Sequence, residues 1–202
     1  KGINIEAIID NREEVNSKLI YEVEKNNIKI FKGYTVTDTS GYKRINRISI
    51  MQLSKDGQKV VGSKISLSCD CLGVSGGWTP AVHLFTQSGG KLKFRDEDQV
   101  FIPYSYPSEQ LSIGSCNGDF TLDEILTNVP KSLKEFLKIK NTEYENLEVL
   151  SSTNKLKRNI WLLPSDKILG KTKSFVDYQN DATAKDIKLA LREGFKSIEH
   201  VK

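Results

Sequence analysis

Residues 3–31 read INIEAIIDNREEVNSKLIYEVEKNNIKIF, and the order of patterns within them decides the fold class. Ile3, Ile5, Ala7, Ile8 and Ile9 form a short apolar run, the mark of a parallel strand covered on both faces. Asp10 stands at its end. Val15, Leu19, Ile20 and Val23 then fall on one stripe, which predicts an amphipathic helix over residues 12–26. Beyond Asn27, the residues Ile28, Ile30 and Phe31 begin a second strand. Strand, helix and strand in that order make a βαβ unit, and with it an α/β protein.

Asp10 is the first candidate site residue. In dinucleotide-binding folds an acid about 20 residues beyond a glycine loop, at the tip of the second strand, binds the adenosine ribose hydroxyls. Counting back from Asp10 places such a loop before Lys1, and no G-x-G-x-x-G occurs within the chain. Asp10 has a second reading as the N-cap of the following helix, where a carboxylate is favoured by the partial positive charge. Arg12 either meets a 2′-phosphate or sits on the helix start.

Outward from this unit, residues 33–39, 45–53 and 60–68 are rich in Val, Ile and Thr, with turn signals at Ser40-Gly41 and Asp56-Gly57. They predict a three-stranded antiparallel meander. Cys71 to Val74 reads as a buried strand, and Ser75-Gly76-Gly77-Trp78-Thr79-Pro80 as a close turn into a helix over residues 81–86. Gly76 and Gly77 are therefore candidate dinucleotide contacts, while Trp78 is expected in the core. Ile113-Gly114-Ser115-Cys116-Asn117-Gly118 lies between an expected strand end at 112–113 and a helix beginning over 120–126. Glycines there let backbone amides approach phosphate or sugar oxygens, which makes Gly114 and Asn117 candidates. A bare β–α turn is the alternative.

From Val129-Pro130 the pattern changes. Residues 131–140 suggest a short basic amphipathic helix, 141–154 are polar and acidic, and Trp161-Leu162-Leu163-Pro164 is an apolar patch. Leu169-Gly170-Lys171-Thr172 lacks the first glycine of a phosphate loop. The last stretch contains a strand at Phe175 and Val176, then a polar break at Asp177, Asn180 and Asp181. Thr183 with Asp186 makes a capping-box-like start. Ile187, Leu189, Ala190 and Leu191 continue the helix, with Gly194 as its stop. Three regions result: 1–75, 76–130 and 131–202. The chain opens on Lys1 and stops just after a well-signalled helix, so it reads as a piece of something longer.

Composition narrows the class. The 202 residues carry 30 Lys+Arg against 26 Asp+Glu, a net charge of +4, with basic and acidic residues interspersed. That pattern fits a solvated surface better than a nucleic-acid face. No stretch approaches the roughly 18 consecutive apolar residues of a membrane span. The three cysteines, Cys69, Cys71 and Cys116, are too few and odd in number for a disulfide framework, which suits a reducing cytoplasm. Cys69 and Cys71 lack the second ligand pair that a zinc site requires. The histidines, His83 and His200, fall at a helix start and a helix end, and no catalytic constellation stands out.

Two stretches carry a family resemblance. CDCLGVSGGWTPAVHLFTQSGGKLKF (69–94) and FVDYQNDATAKDIKLALREGFKSIEHVK (175–202) resemble the alpha subunit of heterotetrameric sarcosine oxidase. The second also resembles the small iron–sulfur domains similar to bacterioferritin-associated ferredoxin, without their cysteines. Asp177 and Gln179 stand where those domains have the cluster thiolates. The resemblance implies a partial Rossmann-like, disulfide-reductase-like FAD/NAD(P)-binding region over 1–130. A small cluster-free α+β domain follows. Gly-Asp is usual in the flavoprotein superfamily where this chain has Gly114-Ser115, a departure that fits NAD rather than flavin in this half.

For the complete enzyme the resemblance implies oxidative demethylation of sarcosine to glycine, with hydrogen peroxide as product and tetrahydrofolate accepting the one-carbon unit. It implies NAD in this region, FAD and FMN elsewhere, and beta, gamma and delta partner subunits. It implies neither nucleic acid nor membrane as a partner. Alternatives are the alpha subunit of a related amine dehydrogenase acting on proline, an opine or N-methylglutamate, and a non-catalytic structural subunit that binds nucleotide. A Rossmann unit without its first strand exposes a sheet edge, so poor solubility is expected of the isolated chain.

Overall fold

The computed structural model describes residues 2–15, 18–106, 109–139 and 160–197. The architecture is mixed α/β. The chain forms two units, one of Lys1–Val74 with Ile160–Lys202 and one of Ser75–Asn159.

The first unit begins with the expected βαβ arrangement. Strand β1 (Ala7–Asp10) and strand β2 (Lys29–Lys32) pair in parallel, with helix α1 (Lys18–Lys25) between them. Ala7 lies opposite Lys29 and Asp10 opposite Lys32. The strand starts later than its apolar run, leaving Ile3 exposed, because its neighbour β2 offers only four residues to pair with. The helix also starts later than residue 12. Arg12 gives its amide to Asp10 Oδ1 at 2.9 Å, and its carbonyl accepts from the Gly33 amide at 2.9 Å. Those bonds hold residues 10–13 in a turn, so Asp10 is not the N-cap of α1. The helix ends where Asn27 adopts a left-handed φ of 57°. There the Ile28 and Asn27 amides donate back to the carbonyls of Val23 and Glu24.

The meander is as the alternation foretells. Strands β3 (Tyr34–Gly41), β4 (Ile45–Leu53) and β5 (Val60–Ser68) form one antiparallel sheet in sequential order. Its core lies on the central strand, where Ile48, Ile50, Met51 and Leu53 are buried with Thr35 and Thr37 of β3. The turn before β5 is built by Ser54, whose hydroxyl accepts from the Lys59 amide, while Gly57 takes a φ of 68°.

Cys71 to Val74 form no strand and are largely exposed, which corrects the buried-strand expectation. An apolar run joins a sheet only when a neighbour supplies a ladder, and none among the described residues pairs with it. Trp78 is 65% exposed rather than in the core, for the same reason: the residues around it lie in an open loop.

The second unit contains a short helix α2 (His83–Gln87), a hairpin of β6 (Lys91–Arg95) and β7 (Val100–Ser105), and a long helix α3 (Leu122–Leu137). Phe85, Val100 and Ile102 are buried within it. Thr121 caps α3 in a capping box with Glu124. One helix runs through Pro130, where the sequence suggested two. Pro130 lacks an amide to donate, yet the amphipathic helix continues past it to Leu137. The segments 141–154 and 155–158 lie outside the described residues, as does His200.

The chain then returns to the first unit. A 3-10 turn at Leu169–Lys171 precedes strand β8 (Phe175–Asp177), strand β9 (Ala182–Thr183) and helix α4 (Ala184–Arg192). Thr183 and Asp186 form the expected capping box. Gly194 ends the helix at φ 92°, with the Phe195 amide reaching the Ala190 carbonyl and the Gly194 amide that of Leu191. Asp177 orders the intervening turn: its Oδ1 accepts from the Gln179 amide at 2.8 Å and its Oδ2 from the Asn180 side-chain amide at 2.6 Å.

Candidate dinucleotide-binding site

At the carboxyl end of β1 the Asp10 carboxylate is gripped from one side. Arg12 Nε donates to Oδ1 at 3.0 Å and Arg12 Nη2 to Oδ2 at 2.7 Å, in addition to the backbone bond. The fork matches the planar carboxylate, which makes the pair charge-assisted and bidentate. Asp10 is 20% exposed in its side chain and Arg12 36%. Burial by itself raises the carboxyl's pKa; the Arg12 hydrogen bonds, with the charges of Arg12 and Lys32, outweigh it and hold Asp10 below the ordinary carboxylate value. Asp10 is therefore an anion at neutral pH. It stands at the carboxyl end of β1, in the two-stranded parallel sheet with β2.

Lys32 is a member of this site that sequence reading missed. It sits opposite Asp10 only because β1 and β2 pair in parallel in this register. Nothing local in residues 29–32 announces that placement.

The other candidates lie in the second unit. Gly76 and Gly77 occupy an exposed loop without regular structure. A Cβ built on Gly76 meets nothing within 4 Å, so its backbone is open to close approach. Gly77 has a φ of 129°, a conformation that favours glycine. Gly114 and Asn117 form the ends of a short 3-10 helix, not a plain turn following a strand. The expected strand at 112–113 is absent, and the chain there is irregular. Gly114 has a φ of 63° and faces Ile125 of α3.

A second missed residue organises this turn. Arg95 Nη2 donates to the Gly118 carbonyl at 2.8 Å while Nε donates to Asp98 Oδ1 at 2.9 Å. Hydrogen bonding to Asp98 raises the Arg95 pKa further, so the guanidinium is a permanent cation beside the turn. Gly118 itself is buried at a φ of 86°. A Cβ there would lie 2.7 Å from Arg95 Nη2 and 3.0 Å from Ile102 Cγ2. The need for glycine at this point is thus one of space as well as of backbone angle.

Asp10 belongs to the first unit, and Gly76, Gly77, Gly114 and Asn117 to the second. Among the described residues no three His, Cys, Asp or Glu side chains come together as metal ligands. No described helix is long and apolar enough to cross a membrane.

Comparison with known proteins agrees with the resemblance read from residues 69–94 and 175–202. Residues 171–202 match the family model of the sarcosine oxidase A3 domain. The alpha subunit of sarcosine oxidase from Corynebacterium sp. (strain P-1) is 28% identical over 97% of this chain, and that from strain U-96 is 27% identical over 97%. The alpha subunit from Rhizobium meliloti (strain 1021) is 24% identical over 100% of the chain. This chain spans about one fifth of the length of these relatives, 21%, 21% and 19% respectively. Among solved structures, L-proline dehydrogenase from P. horikoshii aligns with a TM-score of 0.44 and 15% identity, over 98% of this chain and 39% of that one. Thioredoxin reductase from T. acidophilum aligns with a TM-score of 0.40 and 14% identity, over 65% and 44%. By its sequence, then, the chain is similar to the sarcosine oxidase alpha subunits over about one fifth of their length, with the A3 match at residues 171–202.

Proposed function

We propose that this chain is the part of a sarcosine oxidase alpha subunit that binds NAD and links it to a folate-binding domain. The observation that carries the reading is Asp10, an ionised carboxylate at the carboxyl end of a strand in a parallel βαβ unit. Such a strand end is where open α/β sheets take dinucleotides. Asp10 would meet the adenosine ribose. Gly76 and Gly77 would let the backbone approach the cofactor, and Gly114 and Asn117 would lie against its phosphates or sugars. The open space at Gly76 and the left-handed backbone of Gly114 are compatible with those roles.

In this reading residues 1–75 are the second half of an inserted dinucleotide-binding domain and 76–130 the return segment of the main one. Residues 131–202 are the small domain, cluster-free because Asp177 and Gln179 replace thiolates. The complete enzyme would oxidatively demethylate sarcosine to glycine, with tetrahydrofolate as one-carbon acceptor and hydrogen peroxide as product. FAD and FMN in the whole complex supply the redox chemistry. No residue of this chain is assigned a catalytic step; its side chains bind and position. Beta, gamma and delta subunits would be its partners, in the cytoplasm.

The test is made on the complete subunit. Denaturation should release NAD, and Asp10→Ala should lower both the NAD content and the thermal midpoint. If wild type releases no dinucleotide and Asp10→Ala changes neither quantity, the assignment is wrong. Glycine and peroxide formation from sarcosine by the assembled complex tests the oxidase reading separately.

A further inference from the structure

We propose that Cys69 and Cys71 are a reversible dithiol–disulfide pair, a modification site for peroxide at the end of β5. Both are free thiols, Cys69 half-buried and Cys71 exposed. Packing accounts for the first and not for the second. Cys69 extends the half-buried face of β5 that carries Ile65 and Leu67, and its amide donates to the Asn46 carbonyl at 3.3 Å, which fixes its place. Cys71 lies in the irregular segment beyond, open to solvent, where burial no longer explains a cysteine. The chain bends at Asp70 between them. Alternate positions of a straight strand stand about 7 Å apart, and disulfides span about 4.4–6.8 Å between Cα atoms. The bend shortens the reach, and the irregular segment after it can close the remainder without breaking the ladder, whose last pair is Arg47 with Ser68.

An exposed thiol beside a second one oxidises by a different course from an isolated thiol. The Cys71 sulfur, as thiolate, attacks one oxygen of hydrogen peroxide. The O–O bond breaks, hydroxide leaves with the thiol's proton as water, and a sulfenic acid forms. The Cys69 sulfur then attacks the sulfenic sulfur, the S–O bond breaks, and a second water leaves as the disulfide closes. Two thiols lose two electrons and one peroxide becomes two waters. Asp70 and Arg47 bring one charge of each sign to this strand end, so the site favours neither anions nor cations and suits a small neutral oxidant. A bridge across so short a span is strained, and strained, exposed disulfides are the readily reduced ones, which makes the change reversible. The pair sits just before Ser75, where the chain passes from the first unit to the second. The inference stands on these thiols and not on the oxidase reading, although that reading would place a source of hydrogen peroxide in the same assembly.

The experiment treats the complete subunit with hydrogen peroxide, alkylates the remaining thiols and digests the protein with trypsin. Cleavage after Lys64 and Lys91 leaves Cys69 and Cys71 together in one peptide, residues 65–91. Mass spectrometry is expected to show that peptide lighter by two hydrogens, without added oxygen and closed to the alkylating agent. Dithiothreitol should then restore both thiols. In Cys69→Ser the second thiol is gone, so Cys71 should gain oxygen as far as the sulfinic acid, and dithiothreitol should no longer restore it. A wild-type peptide that gains oxygen at Cys71 as the variant does overturns the proposal. So does one that takes the alkylating agent on both cysteines after excess peroxide, or a Cys71 joined to a cysteine outside residues 65–91. If Cys69→Ser does not fold, the wild-type peptide decides alone by the same outcomes.

Discussion

Lys167 Nζ lies 2.6 Å from Asp38 Oδ2, a pair separated by 129 positions in the chain. It is one of three bonds by which residues 165–167 cross the meander. Ser165 Oγ donates to the Thr37 carbonyl at 3.3 Å, and Lys64 Nζ lies 2.8 Å from Asp166 Oδ2. The charges alternate: Lys167 meets Asp38, and Asp166 meets Lys64. It joins the last segment of the first unit to strands β3 and β5.

The strap should respond to acid. The hydrogen bond from Lys167 holds the Asp38 carboxyl below its ordinary value, against burial, with help from the Lys167 charge. A carboxyl depressed by folding contributes stability above its unfolded pKa, about 3.9, and loses it as pH falls through the lower folded value. Urea midpoints should therefore be flat from neutral pH to about pH 4 in this contribution and fall below it. In Asp38→Asn that part of the acid sensitivity should be missing. The pair is partly exposed, so a double-mutant cycle with Lys167→Gln should give a coupling of only about 0.5 kcal/mol, shrinking with salt. A coupling of zero would mean that the strap is held by Ser165 and the Lys64–Asp166 pair without a contribution from Lys167 and Asp38.

Helix α4 should be sensitive at both ends. Thr183→Ala removes the side chain that accepts from the Asp186 amide and should cost about 1 kcal/mol. Gly194→Ala places a Cβ at φ 92° and should cost about 1–2 kcal/mol, although nothing crowds it. Amide hydrogen exchange across Ala184–Arg192 reads both effects. Protection unchanged in both variants would show that packing, not capping, holds the helix.

Two glycines give opposite expectations. Gly118→Ala must place its Cβ against Arg95 Nη2 and Ile102 Cγ2 at a left-handed φ, and should destabilise the second unit by about 2 kcal/mol or more. Gly76→Ala enters open space and should leave the thermal midpoint within a degree or so, about what a neutral surface change gives. Any loss of bound dinucleotide in Gly76→Ala then reports a contact to the cofactor rather than a folding defect. A destabilised Gly76→Ala protein would remove that distinction and with it the open-loop description.

Ile50 is fully buried at the centre of the meander. Truncation to Ala should cost about 2–5 kcal/mol by lost burial and the cavity left behind. Thr35, nearby in the same sheet and 1% exposed, has no hydrogen-bond partner for Oγ1 among the described residues. Thr35→Val keeps its shape and removes an unsatisfied buried hydroxyl, so it should stabilise, in contrast to Ile50→Ala. Paired denaturation curves separate the two signs.

Elements with strong local signals were legible in the sequence. Strands β4 and β5 follow from alternation and from turns at Asp56-Gly57, because period-two patterning specifies which face is buried. The boundaries of α4 follow from Thr183, Asp186 and Gly194, because caps act through bonds to residues three to five positions away. Asp10 was legible as a strand-end acid. The resemblance in residues 69–94 and 175–202 pointed to the sarcosine oxidase alpha subunits that the chain is similar to.

Tertiary structure alone decided the rest, since each remaining feature depends on partners distant in sequence. The late start of α1 results from Gly33 donating to the Arg12 carbonyl, a bond made only once β2 lies beside β1. The same pairing brings Lys32 to Asp10. Trp78 and Cys71 to Val74 are apolar enough for a core, but burial requires a covering element and local composition cannot supply one. Residues 165–167 carry no signal of their own in the sequence, and only the folded sheet places Asp38 and Lys64 where opposite charges can meet them. Local sequence settles what depends on neighbours within a turn or two of the chain. Contacts between residues far apart settle which carboxylates are paired, which helices start late and which apolar side chains face water.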